Sequence, residues 1–150
     1  MSFWDDLLGL AVGAAVVGGV GYALCKSMDN GIDQLIHASE EEALPAIAYA
    51  VPRMDADDWR LFAQRLEAKA QYHEYARVLF AFALCVRNAA AEIEQLLAYS
   101  LQEAFEILAS VFPGKDDLEQ LAFLATLHTY AEQNIKAKAI FNKLQAALSA

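Results

Sequence analysis

His128 and Glu132 stand four residues apart, as do His73 and Arg77, and on a helix each pair would share one face. Such a pair reads first as a surface hydrogen bond. Metal chemistry asks for more: a di-iron bundle places Glu-x-x-His on two helices, whereas the residues three before His37, His73 and His128 are Gln34, Ala70 and Ala125. The chain contains no HExxH, no CxxC and no phosphate-cradling GxxxxGK[ST]. None of its serines (Ser2, Ser27, Ser39, Ser100, Ser110, Ser149) sits in a GxSxG elbow. The carboxylate pairs Glu92/Glu94 and Asp116/Asp117 fall at helix starts or on solvated faces, where nothing would raise a pKa for acid–base work. The expectation is a protein without catalytic residues, cofactor or metal.

Two groups of side chains remain as a surface for a partner. Tyr72, His73, Tyr75 and Arg77 put aromatic and cationic groups side by side, with Phe80 and Phe82 close behind. The plainer reading of these rings is core. The acidic residues are unevenly placed: Asp29, Asp33, Glu40, Glu41, Glu42, Asp55, Asp57 and Asp58 precede Arg60 with only Arg53 between them for balance after Met28. Asp55, Asp57 and Asp58 read either as a surface for a basic protein partner or as solvated helix-start residues. The net charge of −9 argues against nucleic acid, whose phosphates need clustered Lys and Arg.

The elements that must position these groups are helical. Hydrophobic residues make up 57% of the chain, and its three prolines and seven glycines are too few for a protein built from many turns. Five of the glycines fall between Leu7 and Cys25, which leaves the remainder rich in the strong helix formers Ala, Leu, Glu and Gln. Ser27 to Gly31 reads as a turn in which Asn30-Gly31 supplies positive φ, followed by a short helix over Ile32 to His37. Ser39 with Glu42, and Ser100 with Glu103, form capping boxes. Pro45 is expected only near a helix start, and Pro52 should end that helix. Asp55 caps a helix bearing Trp59, Phe62, Ala63 and Leu66 at helical spacing. After a break at Gln71–His73 comes Glu74–Arg87, apolar over most of its circumference and therefore central, with Asn88 as its stop. Ala89–Tyr99 is a separate helix. The FPGKDD turn (Phe112 to Asp117) precedes a helix capped by Asp116 or Asp117, and the last helix starts near Ile135. The fold class is all-α, with short connections and hence antiparallel helical hairpins.

Three stretches echo one another, each placing a small residue, an apolar one four later and another three later: Ala76–Phe80–Ala83, Ala104–Leu108–Val111 and Ala137–Phe141–Leu144. Leu124, Ala125 and His128 add the first-helix positions of the last pair. This pattern resembles a degenerate tetratricopeptide repeat, although the intervals are 28 and 33 residues against ~34 for that family. The family's glycine between helices is replaced by Gln71 and Glu132, and its terminal proline is missing. The resemblance covers roughly Asp55 to Ala147 and implies a groove that binds protein or peptide, with no catalysis. A plain irregular bundle is the alternative.

Residues 1–27 are set apart from the helical domain, 28–150, by LLGLAVGAAVVGGVGYALC, a run of nineteen residues without a charge. As a helix it would span ~28 Å, close to the ~30 Å core of a bilayer. Gly9, Gly13, Ala15, Gly19 and Ala23 set small residues four apart, the spacing of close helix contact in lipid. Its apolar drive is thin, however, because glycine and alanine contribute little area. A membrane-associated or self-associating helix is preferred over a buried one. The acidic start MSFWDD lacks the positive n-region of a secretory signal, Leu24 does not suit a lipobox, and Cys25 and Cys85 read as reduced thiols. A cytoplasmic protein is expected, with anchorage to the inner membrane through this helix as the variant. The functional expectation is a protein-binding domain of the adaptor, chaperone or toxin-immunity kind. Its alternative is a small membrane protein that self-associates through residues 7–25 and carries a helical cap.

Overall fold

Side-chain caps set most of the helix starts, and each cap lies within three residues of the group it satisfies. In a computed structural model that describes residues 28–149, the elements are α1 (Met28–His37), α2 (Glu40–Ala50), α3 (Ala56–Ala70), α4 (Glu74–Ala98), α5 (Leu101–Val111), α6 (Asp117–Ala131) and α7 (Ile135–Ser149). Short 3-10 turns at Val51–Arg53 and Phe112–Gly114 follow α2 and α5. No strand occurs among the described residues, and the chain is all-α. Asp55 Oδ1 accepts from the Asp58 N–H at 2.8 Å to open α3. Asp116 and Glu119 exchange bonds at 2.8 and 3.2 Å to open α6. Ser100 Oγ accepts from Glu103 N–H at 3.2 Å, and Asn134 Oδ1 accepts from Ala137 N–H at 3.0 Å. Each satisfies an amide that the helix itself leaves without a partner.

The core is centred on α4 and α6. Every residue from Gln120 to Leu127 is buried, so α6 is enclosed on all sides by α2, α4 and α7. Its polar groups are satisfied locally. Gln120 Nε2 donates to Phe112 O at 3.2 Å, Thr126 Oγ1 to Ala122 O at 2.6 Å and Thr129 Oγ1 to Thr126 O at 2.7 Å, as buried polar atoms must be. The expected central helix is central: α4 meets α1, α2, α3, α5, α6 and α7. Leu79, Phe82, Ala83, Val86 and Ile93 of α4 are fully buried, whereas Val78 points outward. Two lysines tie the ends of this framework. Lys115 Nζ binds both carboxylate oxygens of Glu92 at 2.9 and 2.8 Å. Lys136 Nζ closes the C-terminus of α4 on the carbonyls of Leu97 and Tyr99 at 3.0 and 2.5 Å, a favourable place for a cation at a helix end.

Four local expectations are corrected. Asn30-Gly31 is not a turn but the first turns of α1, and no described glycine has positive φ; burial of Ile32 and Leu35 outweighs the roughly 1 kcal/mol that a helical glycine costs. Asn88 does not stop a helix: α4 runs unbroken through it for 25 residues, because an exposed Asn followed by three alanines carries only a small helix penalty. Ala89–Ala98 is therefore the second half of α4, with Tyr99 as its C-cap. Ser39 occupies the N-cap of α2 without a side-chain bond, its carbonyl receiving the Glu42 and Ala43 amides instead. Pro45 sits six residues into α2, and Glu41, whose carbonyl loses its helical donor, is exposed to water. Among the described residues no helix is long and apolar enough to cross a membrane. Residues 7–25, with Gly9, Gly13, Ala15, Gly19 and Ala23, lie outside the described residues.

Candidate interaction surface

One face of α3 enters the core and the other is left open. Phe62, Leu66 and Ala70 are buried against α4. Ala56, Trp59, Ala63 and Glu67 fall on the stripe that flanks this core face, where, with Arg87 of α4 beside them, they line an open trough of about 500 Å³. Alanines keep its floor low, and Gln64 and Gln71 add amides. Trp59 is half-buried, with its ring tilted 40° to Phe62 at 6.1 Å between centres, and it lines the trough. Arg60 reaches Asp57 at 3.5 Å, but both side chains are largely solvated, and such a pair is worth little.

Arg87 organises the far wall. Its guanidinium lies 5.4 Å from the Trp59 ring centre, and Nη1 donates to Met54 O at 3.2 Å and Val51 O at 3.5 Å. Thus α4 holds the 3-10 turn that joins α2 to α3. Next to it, Arg53 stacks on Tyr49 at 3.8 Å and donates to the Tyr49 carbonyl at 2.7 Å. Tyr130 donates to Glu94 at 3.2 Å, and its hydroxyl is pushed up to about 12 by burial and by the Glu94 carboxylate, against the pull of Arg53 and Arg87. The 3-10 turn, α4 and α6 thereby bring two arginines and a phenol to one junction.

The residues expected from the sequence to face a partner are divided between the two ends of α3. Asp55 is its N-cap, Asp57 faces Arg60 and Asp58 is exposed. At the other end Tyr72 is 84% exposed and Arg77 is exposed. His73 has a structural task, since its Nδ1 accepts the Ala76 amide at 3.3 Å at the start of α4. Tyr75 packs against the core, and its buried hydroxyl has no hydrogen-bond partner among the described residues; burial raises its pKa, with Glu40 adding to the effect. Phe82 is core. The structure brings Tyr72 near one mouth of the trough and the three aspartates near the other, with no contact between the two groups.

His128 and Glu132 do not form the surface hydrogen bond read from the sequence. They are 3.9 Å apart, and the imidazole is mostly buried edge-on against Phe141 at 5.1 Å between ring centres. Burial lowers its pKa, opposed by Glu132. Cys85 is a free thiol whose pKa burial raises, assisted by Glu119 and Asp116. Among the described residues no three His, Cys, Asp or Glu side chains gather as a ligand set. The sequence places Trp59 and Ala63 with the core residues of this helix; Trp59 does pack against the core, and both also line the trough at its edge. The available signal was Ala56 and Ala63, small residues seven apart with Trp59 between them. Comparison of the chain with protein-family models, characterised proteins and solved structures finds no match.

Proposed function

We propose that this chain is a non-catalytic, protein-binding helical domain of the adaptor, chaperone or toxin-immunity kind, and that the trough beside α3 receives the partner. The supporting observation is that α3 buries one face and leaves along the other an open channel with a half-buried tryptophan and a cation opposite it. Tryptophan and arginine are the residues that most often dominate binding energy at protein interfaces. A tetratricopeptide-like stack belongs to the same proposal: α3 with α4, and α6 with α7, are joined by three residues and packed on each other. The unbroken α4 favours an irregular bundle for the middle of the chain, since the second repeat pair has no first helix of its own.

Affinity capture with the tagged full chain, from lysate of the source cell, tests this. A stoichiometric partner is expected with the natural sequence, and Ala68→Arg, which blocks the exposed floor of the trough, should abolish its recovery. Recovery of no partner, or equal recovery with the blocked variant, overturns the reading.

A further inference from the structure

We infer that the trough selects an acidic segment of its partner protein, one that presents Asp or Glu carboxylates beside small apolar side chains. The inference rests on the protein-binding reading and goes beyond it in naming the chemistry recognised. The chain carries a net charge of −9, yet the trough holds Arg60 and Arg87 against the single acid Glu67. Of its remaining polar groups, the Trp59 indole can only donate, while Gln64 and Gln71 can donate or accept and do not oppose an anion.

Arg87 supplies the decisive observation. A guanidinium offers five N–H donors in a planar fork, and here the bonds to protein all leave from Nη1, to two carbonyls. No carboxylate of the described residues forms an ion pair with Arg87, and its Nε and Nη2 have no acceptor among those residues. It is nevertheless half-buried and lines the trough. A half-buried cation held from behind through Nη1, with the Nε–Nη2 side of its fork unused, is arranged for a carboxylate that arrives from outside. The arriving chain would lie over Trp59 and Ala63, and Arg60 can exchange its solvated contact with Asp57 for the same ligand. Nucleic acid fits poorly, because a run of phosphates longer than the trough would meet Asp55, Asp57 and Asp58 beyond its mouth.

The test uses the full chain carrying Trp4→Phe, which leaves Trp59 as the one indole. Two synthetic helix-forming peptides of about 16 residues, the span of Ala56 to Gln71 at ~1.5 Å per residue, share one Ala/Leu pattern with blocked ends. One carries Glu and the other Lys at the charged positions. Titration at low salt is followed by the Trp59 indole N–H resonance and fluorescence. The Glu peptide should shift both saturably, the Lys peptide should bind about tenfold more weakly, and adding salt should weaken the Glu complex. Arg60→Gln should reduce Glu-peptide affinity about threefold to tenfold; this exposed position has no core role, so the fold is retained. Arg87→Lys, which keeps the charge and loses the fork, should also weaken it. Equal or tighter binding of the Lys peptide overturns the inference, as does a concentration-dependent shift without peptide, which would make a second copy of the chain the occupant. If neither peptide moves the Trp59 signals while a captured partner still depends on Ala68, the acidic assignment falls and the protein-binding reading stands. If no partner is captured either, both fall.

Discussion

The Arg87 guanidinium lies 5.4 Å from the centre of the Trp59 ring while its Nη1 is engaged by the carbonyls of Met54 and Val51. One side chain of α4 thus locks the turn before α3 and faces the trough that α3 leaves open. A structural task and a binding task meet in one residue, and they can be separated by substitution.

Arg87→Met should lower stability by about 1–3 kcal/mol, because it takes the donor from the Met54 carbonyl, leaves Val51 O with the Met54 amide alone and removes the ring contact. Arg87→Lys should recover part of the loss, since an ammonium can still donate but cannot fork. Urea denaturation curves for the three proteins decide the matter, and identical midpoints would show that these contacts carry no weight in solution.

Lys115 and Glu92 should respond unequally to truncation. The lysine side chain is 10% exposed and the glutamate 38%, so the cation depends on its partner more than the anion does. Glu92→Gln leaves a buried ammonium and should cost about 1–3 kcal/mol. Lys115→Met should cost less, because Glu92 can turn to water. The ordering of the two unfolding midpoints is the measurement, and the reverse order contradicts the argument.

Acid should weaken the fold through His128. Burial holds this imidazole below its usual value near 6.5, so the unfolded chain takes up the proton first. Its contribution is complete at pH above that value and falls as the pH drops from about 6.5 towards the lower folded pKa. Stability of His128→Leu relative to the natural chain should therefore rise between pH 8 and pH 5. A difference that stays constant with pH would show that His128 is solvated in the folded protein.

Alkali should act through Tyr130 in the opposite sense. Its hydroxyl ionises at about 12 in the folded protein and near 10 when unfolded. The group's contribution is intact below pH ~10 and is lost as the pH rises through 12. Tyr130→Phe should flatten this alkaline decline, and spectrophotometric titration should lose one phenol from the highest phase.

Asn88→Ala should stabilise the protein by about 0.5 kcal/mol, the difference in helix propensity at an exposed interior position. If a helix ended at Asn88, the same change would remove a stop and destabilise. Chemical denaturation separates the two signs.

What could be read from the chain alone follows from the range of the forces involved. Asp55, Ser100 and Asp116 open α3, α5 and α6 because a cap is a bond to an amide three residues away, and both partners are visible in one short stretch. The all-α class is likewise written in composition and periodicity. Asn30-Gly31 and Asn88 misled because their local preferences are small, of order 1 kcal/mol or less, and packing of Ile32, Leu35 and the rest of α4 overrides them. The trough was not legible, since a groove is the face left over once every other face has been packed. Only the docking of α3 on α4 sets Arg87 opposite Trp59, sends Phe62 and Leu66 inward, and leaves Ala63 as an open floor. Short-range hydrogen bonds determined where the helices begin, and the burial of side chains distant in sequence decided which surface remained for a partner.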